Sequence, residues 1–550
     1  MIWIKNMKNT NLILIIARES GRRDVSKQNL RFVNGKPLLY YVLKTSLECN
    51  NCYTIISTDS DEVKQYAKFY QVPVLDRSKK LTRDDTKLEE IAKDGLNKLE
   101  KKGLKFKKCL ILHPHFPLIK KETIQKFFSN LNEKVSVLYG YEKEPDDTFG
   151  IINKNFELKG VPKTTVKIKK IVSFNCQKLF GKKNTNKVFG LEISAKEIFS
   201  PTNYHDFASL ESIMKRKKIV VRVDADVNIG LGHVYNMLTI LNNIRNEDVL
   251  IIMKADKNLG LKKFKEHLYN VKCISDDKEF WKIIRDFKPD IVFNDILNTT
   301  TNYIKKLKNK GIFVVNFEDL GEGRKFADLV FNPIFKNKKQ LKNEFYGSDY
   351  ACVREEFRVF KRKQIRKNVE KIAITLGGID KNNNTLKVIS IIKKFKLLKN
   401  VRIEIILGLG FMHKKKLLQL IKEMNGDGFN IEIIEKADLL SKYLVDCDFV
   451  ITANGRTVFE VASLNIPIIS LSVNKREQQH NFVKKFDVGY HLDFTNDTDD
   501  KLKNSIKNMM NFSIRNKKIK NLEKENLQKG NSRVISKIMS EFELRKFSTA

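Results

Sequence analysis

Four short segments of this chain gather residue types that handle phosphates and protons. The first follows an apolar run, Ile219-Val220-Val221, and reads Arg222-Val-Asp-Ala-Asp-Val-Asn-Ile-Gly-Leu-Gly-His233. Gly230-x-Gly232 permits close backbone approach, and His233 opens the apolar-periodic stretch that follows. An imidazole at a helix N-terminus has its pKa lowered by the dipole, which suits a general base. Asp224 and Asp226 share its loop. The second segment is Gly377-Gly378, just past a strand-like run, where backbone N–H groups can receive a diphosphate. The third is Asn454-Gly-Arg-Thr-Val-Phe-Glu460, which ends one strand and opens a helix. Its Asn454, Gly455 and Thr457 can meet phosphate, and Glu460 is placed for a ribose diol. In the fourth, Arg18, Arg22, Arg23 and Lys27 set cations around the Ser20-Gly21 turn. There a triphosphate can be held and its developing charge stabilised. The glycine spacing of that loop is neither a Walker nor a Rossmann pattern.

Such segments need strands to present them. Residues 11–18 read Asn-Leu-Ile-Leu-Ile-Ile-Ala-Arg, the continuous apolar strand of a parallel sheet. Leu38 to Leu47 carries a helical stripe behind Pro37. Strands follow at Thr54 to Asp59, Val72 to Val74 and Cys109 to His113, with a helix over Val63 to Tyr70. From Lys218 the same alternation begins again, with strands at Val249 to Met253, Asp290 to Asp295 and Gly311 to Phe317. A third start comes at Lys371, continuing through Ile403 to Leu407, Ile431 to Ile434, Phe449 to Thr452 and Pro467 to Leu471. Alternating strands and helices predict an α/β chain of three domains, 1–217, 218–360 and 361–550, with ligands at the strand C-termini. The last two form a clefted pair, with catalysis between the lobes.

Bulk properties fit this reading. At 550 residues the chain exceeds one hydrophobic core, and 41% hydrophobic with 31% charged residues is the balance of a folded protein. No run of about 18 uncharged apolar residues offers a membrane span. Of seven cysteines only Cys49 and Cys52 are closely spaced, which supports neither a zinc site nor a disulfide framework. A cytoplasmic location is expected. The net charge of +39 is spread over the whole length, often beside Asn, Ile and Phe. It forms no single stripe of the kind nucleic acid requires, so no nucleic-acid partner is expected.

The ordered motifs Ile16-Ala-Arg-Glu-Ser-Gly-Arg-Arg, Lys27-Gln-Asn-Leu, Asn34-Gly-Lys-Pro-Leu-Leu, Ile56-Ser-Thr-Asp-Ser-Asp-Glu-Val, Leu81-Thr-Arg-Asp-Asp-Thr86 and Leu112-His-Pro-His-Phe-Pro-Leu118 resemble the cytidylyltransferases that make CMP-sialic acid and related CMP-sugars. The likeness spans about residues 11–215. It implies a nucleotidyltransferase-type Rossmann-like sheet, with Arg18, Ser20, Arg22 and Lys27 facing the phosphates of CTP and Asn29 nearby. It further implies that the region of Asp85 and His113 lines the nucleotide or sugar pocket. The family's paired metal aspartates stand here as Asp206-Phe207-Ala208, so Asp206 alone is the implied Mg²⁺ ligand. A homodimer through this domain is the expected assembly.

Further on, Arg222-Val-Asp-Ala-Asp, Ile229-Gly-Leu-Gly-His-Val, Leu376-Gly-Gly-Ile-Asp and Asn454-Gly-Arg-Thr-Val-Phe-Glu resemble the UDP-sugar hydrolases of the pseudaminic acid pathway and, more broadly, GT-B nucleotide-sugar proteins. The likeness covers about 218–500. It implies a two-lobed GT-B-like pair of α/β domains, His233 as the base, Asp226 as its loop companion, Gly377 and Gly378 on the diphosphate and Glu460 on the ribose. Gln478 and Asn481 sit where that family contacts the nucleotide. Two stretches depart from its pattern: the basic Asn-Gly-Arg-Thr loop, and Glu318-Asp319-Leu320-Gly321 with its added acid. The combined expectation is a bifunctional enzyme acting on small-molecule nucleotide sugars, which activates an acidic nine-carbon sugar with CTP and hydrolyses a UDP-sugar. Its alternatives are a true glycosyltransferase in the second half, or a nucleotide-sugar-binding protein with a decayed catalytic domain.

Overall fold

The computed structural model describes all residues except 1–9, 20–24, 84, 132–136, 144–165, 180–187, 227–229, 245–246, 336–339, 361–364, 409, 436, 438, 495–498 and 550. The chain divides into two compact units, Met1–Lys215 and Arg216–Ala550.

In the first unit the apolar run forms the strand Asn11–Ile16, buried at every residue but its first. It pairs in parallel with Cys52–Thr58 on one side and Lys108–Leu112 on the other. The sheet runs in the order Val74–Asp76, Cys52–Thr58, Asn11–Ile16, Lys108–Leu112, Val166–Asn175, Val137–Lys143, Val188–Glu192. Val166–Asn175 lies antiparallel to both neighbours, so the sheet is mixed. The helix Leu38–Leu47 buries Leu38, Leu39, Val42, Leu43 and Ser46, the spacing of one helical face. The short strand expected at 72–74 lies two residues later, at Val74–Asp76. Pro73 has no N–H to give a ladder; its carbonyl instead accepts from Ile56.

The second unit contains two all-parallel sheets. One runs Asn270–Ile274, Asp248–Lys254, Lys218–Val223, Ile291–Asp295, Phe313–Phe317, Leu329–Asn332, Glu344–Tyr346. The other runs Asn430–Glu435, Arg402–Leu407, Lys371–Thr375, Phe449–Ala453, Ile468–Ser472, Gly489–Asp493. Ile291–Asp295, Phe313–Phe317 and Phe449–Ala453 are buried along their whole length, as strands covered on both faces must be. In each sheet the strand order reverses beside the first strand, which opens a crevice at the strand C-termini. The final helix, Gly530–Thr549, returns to the first lobe and places Val534, Ile538 and Phe542 in its core. The fold class is therefore α/β as expected: a Rossmann-like mixed sheet, then a pair of lobes each built on an all-parallel sheet. No helix among the described residues is long and apolar enough to cross a membrane.

Candidate functional site

The pocket of the first unit lies at the C-terminal ends of its parallel strands. Arg18, Asn29 and His113 all line it. Arg18 stands two residues past Asn11–Ile16 and His113 directly past Lys108–Leu112, and these strands are paired neighbours. Asn29 Nδ2 donates to the Arg18 carbonyl at 2.8 Å, and Arg18 Nη1 donates to the Thr82 carbonyl at 3.1 Å. Arg77, which sequence reasoning passed over, lines the same pocket at 6% exposure. Its Nε and Nη2 have no hydrogen-bond partner among the described residues. Burial, aided by Arg18 and opposed by Asp59 and Asp94, pushes its pKa down to about 10. A buried guanidinium with unused donors is suited to an anion. Its signal in the sequence was an arginine directly after a short strand.

Other expected members of this site either do not line it or fall outside the described residues. Lys27 pairs with Glu62 at 2.5 Å on exposed surface and does not line the pocket. Asp85 is exposed; Arg83 and Thr86 beside it line the pocket instead. Ser20 and Arg22 fall outside the described residues. Asp206 belongs to the first turn of the helix Tyr204–Lys215, where its Oδ2 accepts from Thr202 N at 2.7 Å and Thr202 Oγ1 at 2.6 Å. Asp206 N in return donates to Asn203 Oδ1 at 2.9 Å. This reciprocal arrangement is a capping box. No group of three His, Cys, Asp or Glu side chains suited to a metal occurs among the described residues. Asp206, the expected Mg²⁺ ligand, is engaged in this cap.

In the second unit His233 is the second residue of the helix Gly232–Leu241 and is buried. Its Nδ1 lies 2.6 Å from Asp295 Oδ1, and Asn236 Nδ2 donates to Asp295 Oδ2 at 2.6 Å. Asp295 ends the strand Ile291–Asp295 opposite Val223, which carries it to the loop that leads into the helix. The expectation of a lowered His233 pKa is corrected by this contact. Burial opposes the charged ring, but the Asp295 carboxylate, its hydrogen bond and Glu318 together outweigh burial and Arg456, so the pKa is raised. The helix dipole is overruled by a full negative charge at contact distance. Asp224 is held bidentately by Arg222, at 2.5 and 2.9 Å. Asp226 faces Lys257 at 3.8 Å, and its carbonyl accepts from Gly230.

Across the cleft Gly377 adopts φ +89°, open to glycine and strained for other residues. A side chain added at Gly378 would sit 3.5 Å from Leu231, two residues before His233. The glycine pair thus faces the loop that carries His233. Asn454 is fully buried, and its Nδ2 donates to the carbonyls of Glu477 and His480, both at 2.8 Å. It therefore fastens the 477–480 loop. Thr457 opens the helix Thr457–Ser463. Gln478 donates to Asp493 at 3.0 Å, and Asn481 is exposed at the start of the next short helix. Glu460 is gripped by Arg354 through two bonds of 2.7 and 3.1 Å. Those bonds use two of about four acceptor sites on the carboxylate, leaving others for hydroxyls. The two stretches of unexpected charge meet: Arg456 Nη2 lies 2.7 Å from Glu318 Oε1. Arg476 also reaches across, donating to the Glu318 carbonyl.

Residues 12–183 match the family model described as cytidylyltransferase. The first unit is a domain of the cytidylyltransferase type. A protein of Methanocaldococcus jannaschii described as uncharacterized is 30% identical over 288 residues, 49% of this chain and 58% of that protein. The chain thus spans little more than half the length of this relative. A Helicobacter pylori protein named pseudaminic acid cytidylyltransferase and UDP-2,4-diacetamido-2,4,6-trideoxy-beta-L-altropyranose hydrolase is 23% identical over 491 residues, 84% of this chain and 88% of that one. The crystal structure of Acinetobacter baumannii MurG, at 14% identity and TM-score 0.45, aligns with 59% of this chain and 99% of its own. This chain joins a cytidylyltransferase domain to a unit of two all-parallel α/β sheets.

Proposed function

We propose that the protein is bifunctional, with two reactions that share nucleotide-sugar chemistry. In the cytidylyltransferase domain the hydroxyl of an acidic sugar attacks the α-phosphorus of CTP. The bond to the β-phosphate breaks, CMP joins the sugar oxygen, and pyrophosphate leaves. Arg18 and Arg77 meet the phosphate charge, while Asn29 braces the strand end and His113 forms the opposite wall. The cation-lined pocket at the strand ends, within the segment matched by the family model, supports this reading.

In the two-lobed unit an acceptor oxygen attacks the anomeric carbon of a UDP-sugar. His233 Nδ1–H donates to Asp295, which leaves Nε2 to take the acceptor's proton. The bond from the anomeric carbon to the diphosphate oxygen breaks, and UDP departs with its electron pair. Backbone N–H groups at Gly377 and Gly378 meet the diphosphate. Glu460 takes the ribose, with Thr457, Gln478 and Asn481 around the nucleotide and Asp226 shaping the base's loop. The His233–Asp295 pair carries the proposal, because an oriented imidazole is what deprotonation of a hydroxyl needs.

The same base serves two acceptors. A sugar hydroxyl gives glycosyl transfer; water gives hydrolysis, the activity in the name of the Helicobacter pylori relative. A product assay separates them. Full-length protein is given panels of acidic sugars with CTP, and of UDP-sugars with and without acceptor sugars. Pyrophosphate release and UDP release are followed, with ¹⁸O-water in the second case. Label in the released sugar establishes hydrolysis; unlabelled product with acceptor consumed establishes transfer. If His233→Gln keeps wild-type UDP release, the proposed base is wrong.

A further inference from the structure

Glu318 occupies an unusual position. It directly follows the strand Phe313–Phe317 and has φ 52°, the left-handed region that side chains other than glycine rarely adopt. Its backbone is fixed on both sides: its N–H donates to the Phe331 carbonyl, and its own carbonyl accepts from Arg476. Strain of this kind gathers at ligand clamps and survives only where the surroundings impose it. The result is a carboxylate pointed across the cleft at Arg456.

The pair is close yet poorly bonded. Arg456 Nη2 and Glu318 Oε1 are 2.7 Å apart, with the two side chains 15% and 7% exposed. Even so, Oε1 accepts no aligned hydrogen bond. By contrast, Arg354 and Glu460 in the same unit meet through two aligned bonds. A guanidinium offers five donors in a planar fork, and an anion with several oxygens satisfies them better than one misaligned carboxylate oxygen. Both Glu318 and Arg456 act electrostatically on His233, so they border the base itself. Arg476 feels Glu318, Asp295 and Asp319 in turn. The second lobe thus brings two arginines to the acidic end of the first.

We propose that Arg456 binds the diphosphate of the nucleotide substrate and that Glu318 competes with that diphosphate for the guanidinium. This rests on the reading of the cleft as a nucleotide-sugar site. When the diphosphate arrives, the guanidinium exchanges one carboxylate oxygen for phosphate oxygens, and Glu318 is released beside His233. Bond breaking at the anomeric carbon then leaves its charge on a diphosphate already held by a cation. Glu318 makes binding weaker than Arg456 alone would allow, and so sets how much negative charge a ligand needs to enter.

Titration calorimetry on the full-length protein tests this with UDP, UMP and inorganic pyrophosphate. Glu318→Gln should bind UDP about 10-fold more tightly than wild type, since it removes a charged competitor. Arg456→Met should bind UDP about 10-fold more weakly or worse, with UMP far less affected. The double variant should match Arg456→Met, because Glu318 acts through Arg456. Pyrophosphate that binds wild type and is lost in Arg456→Met assigns the contact to the diphosphate without its nucleoside. A merely structural pair would give Glu318→Gln equal or weaker binding, and that result overturns the proposal. Should Glu318→Gln not fold, equal losses of UDP and UMP affinity in Arg456→Met overturn it instead. Wild type that binds no UDP overturns this inference together with the nucleotide-sugar reading; wild type that binds UDP while Glu318→Gln is unchanged overturns the inference alone.

Discussion

His233 Nδ1 and Asp295 Oδ1 stand 2.6 Å apart, both buried, on a helix and a strand separated by 62 positions in the chain. Asn236 holds the second oxygen of the carboxylate, so Asp295 cannot turn away from the ring. In the proposed mechanism the carboxylate fixes the tautomer that leaves Nε2 for the acceptor and strengthens the imidazole as a base. Asp295→Asn should leave UDP affinity nearly intact while turnover of the UDP-sugar falls by about 10²–10⁴-fold. Steady-state rates alongside equilibrium UDP binding measure both. Unchanged turnover would remove Asp295 from the mechanism.

The acid limb of the pH profile should report His233. Its pKa is raised above its ordinary 6.5, because Asp295 and Glu318 outweigh burial and Arg456. The base works when neutral, so activity should rise as pH climbs through a value above 6.5. In Asp295→Asn the limb should move to lower pH. Stability runs the other way: the charged ring's contribution is complete below the unfolded value and fades as pH rises through the raised one. A wild-type limb at or below the ordinary histidine range would contradict this ordering.

Arg77→Met separates binding from stability in the cytidylyltransferase domain. The guanidinium has unmet donors in a buried setting, and each such group costs about 1–3 kcal/mol. Methionine should hold or raise the melting temperature, while CTP turnover falls by about 10²-fold, as loss of a charge-stabilising group does. A variant that loses stability and keeps turnover would make Arg77 a structural residue.

Asp206→Ala should weaken folding by about 1 kcal/mol through loss of the capping box. The hydrogen bonds from Thr202, then Asn203, hold the Asp206 pKa below its ordinary value. The stability it adds is therefore present above the unfolded pKa and lost as pH falls through the folded one. Denaturant titration at neutral and acid pH measures this. A changed Mg²⁺ requirement for pyrophosphate release would restore the residue to metal binding.

Glu460→Ala should weaken UDP binding by about 10-fold, the worth of charge-assisted bonds to hydroxyls, with a smaller effect on turnover at saturating substrate. It also strips Arg354 of its bidentate partner, so Glu460→Gln is the gentler comparison. Equal affinity in both variants would leave Glu460 as the anchor of Arg354 alone.

The sequence by itself determined the strands, because continuous apolar runs such as Asn11–Ile16 and Phe449–Ala453 have one favourable home, the middle of a parallel sheet. It also pointed to candidate loops for phosphate and proton chemistry, since glycine, histidine and arginine just past a strand are a local pattern. His233 and Arg18 were candidates for that reason, and Asn29 and His113 came from the resemblance carried by the ordered motifs of residues 16–118. Local pattern does not choose partners. Asp295 meets His233 because the strand leading to the His233 helix is the neighbour of Ile291–Asp295 in the sheet, and Arg456 meets Glu318 because two lobes face each other. Arg77 became notable through what is missing around it, which depends on packing. The His233 pKa shows the limit most plainly: the chain near it gives a helix dipole, and the fold adds a carboxylate whose nearby full charge outweighs it. Asp206 gains its capping partners Thr202 and Asn203 only once the chain turns into the helix Tyr204–Lys215. Residue types fix what a side chain can do, and tertiary contacts decide which of those things it does.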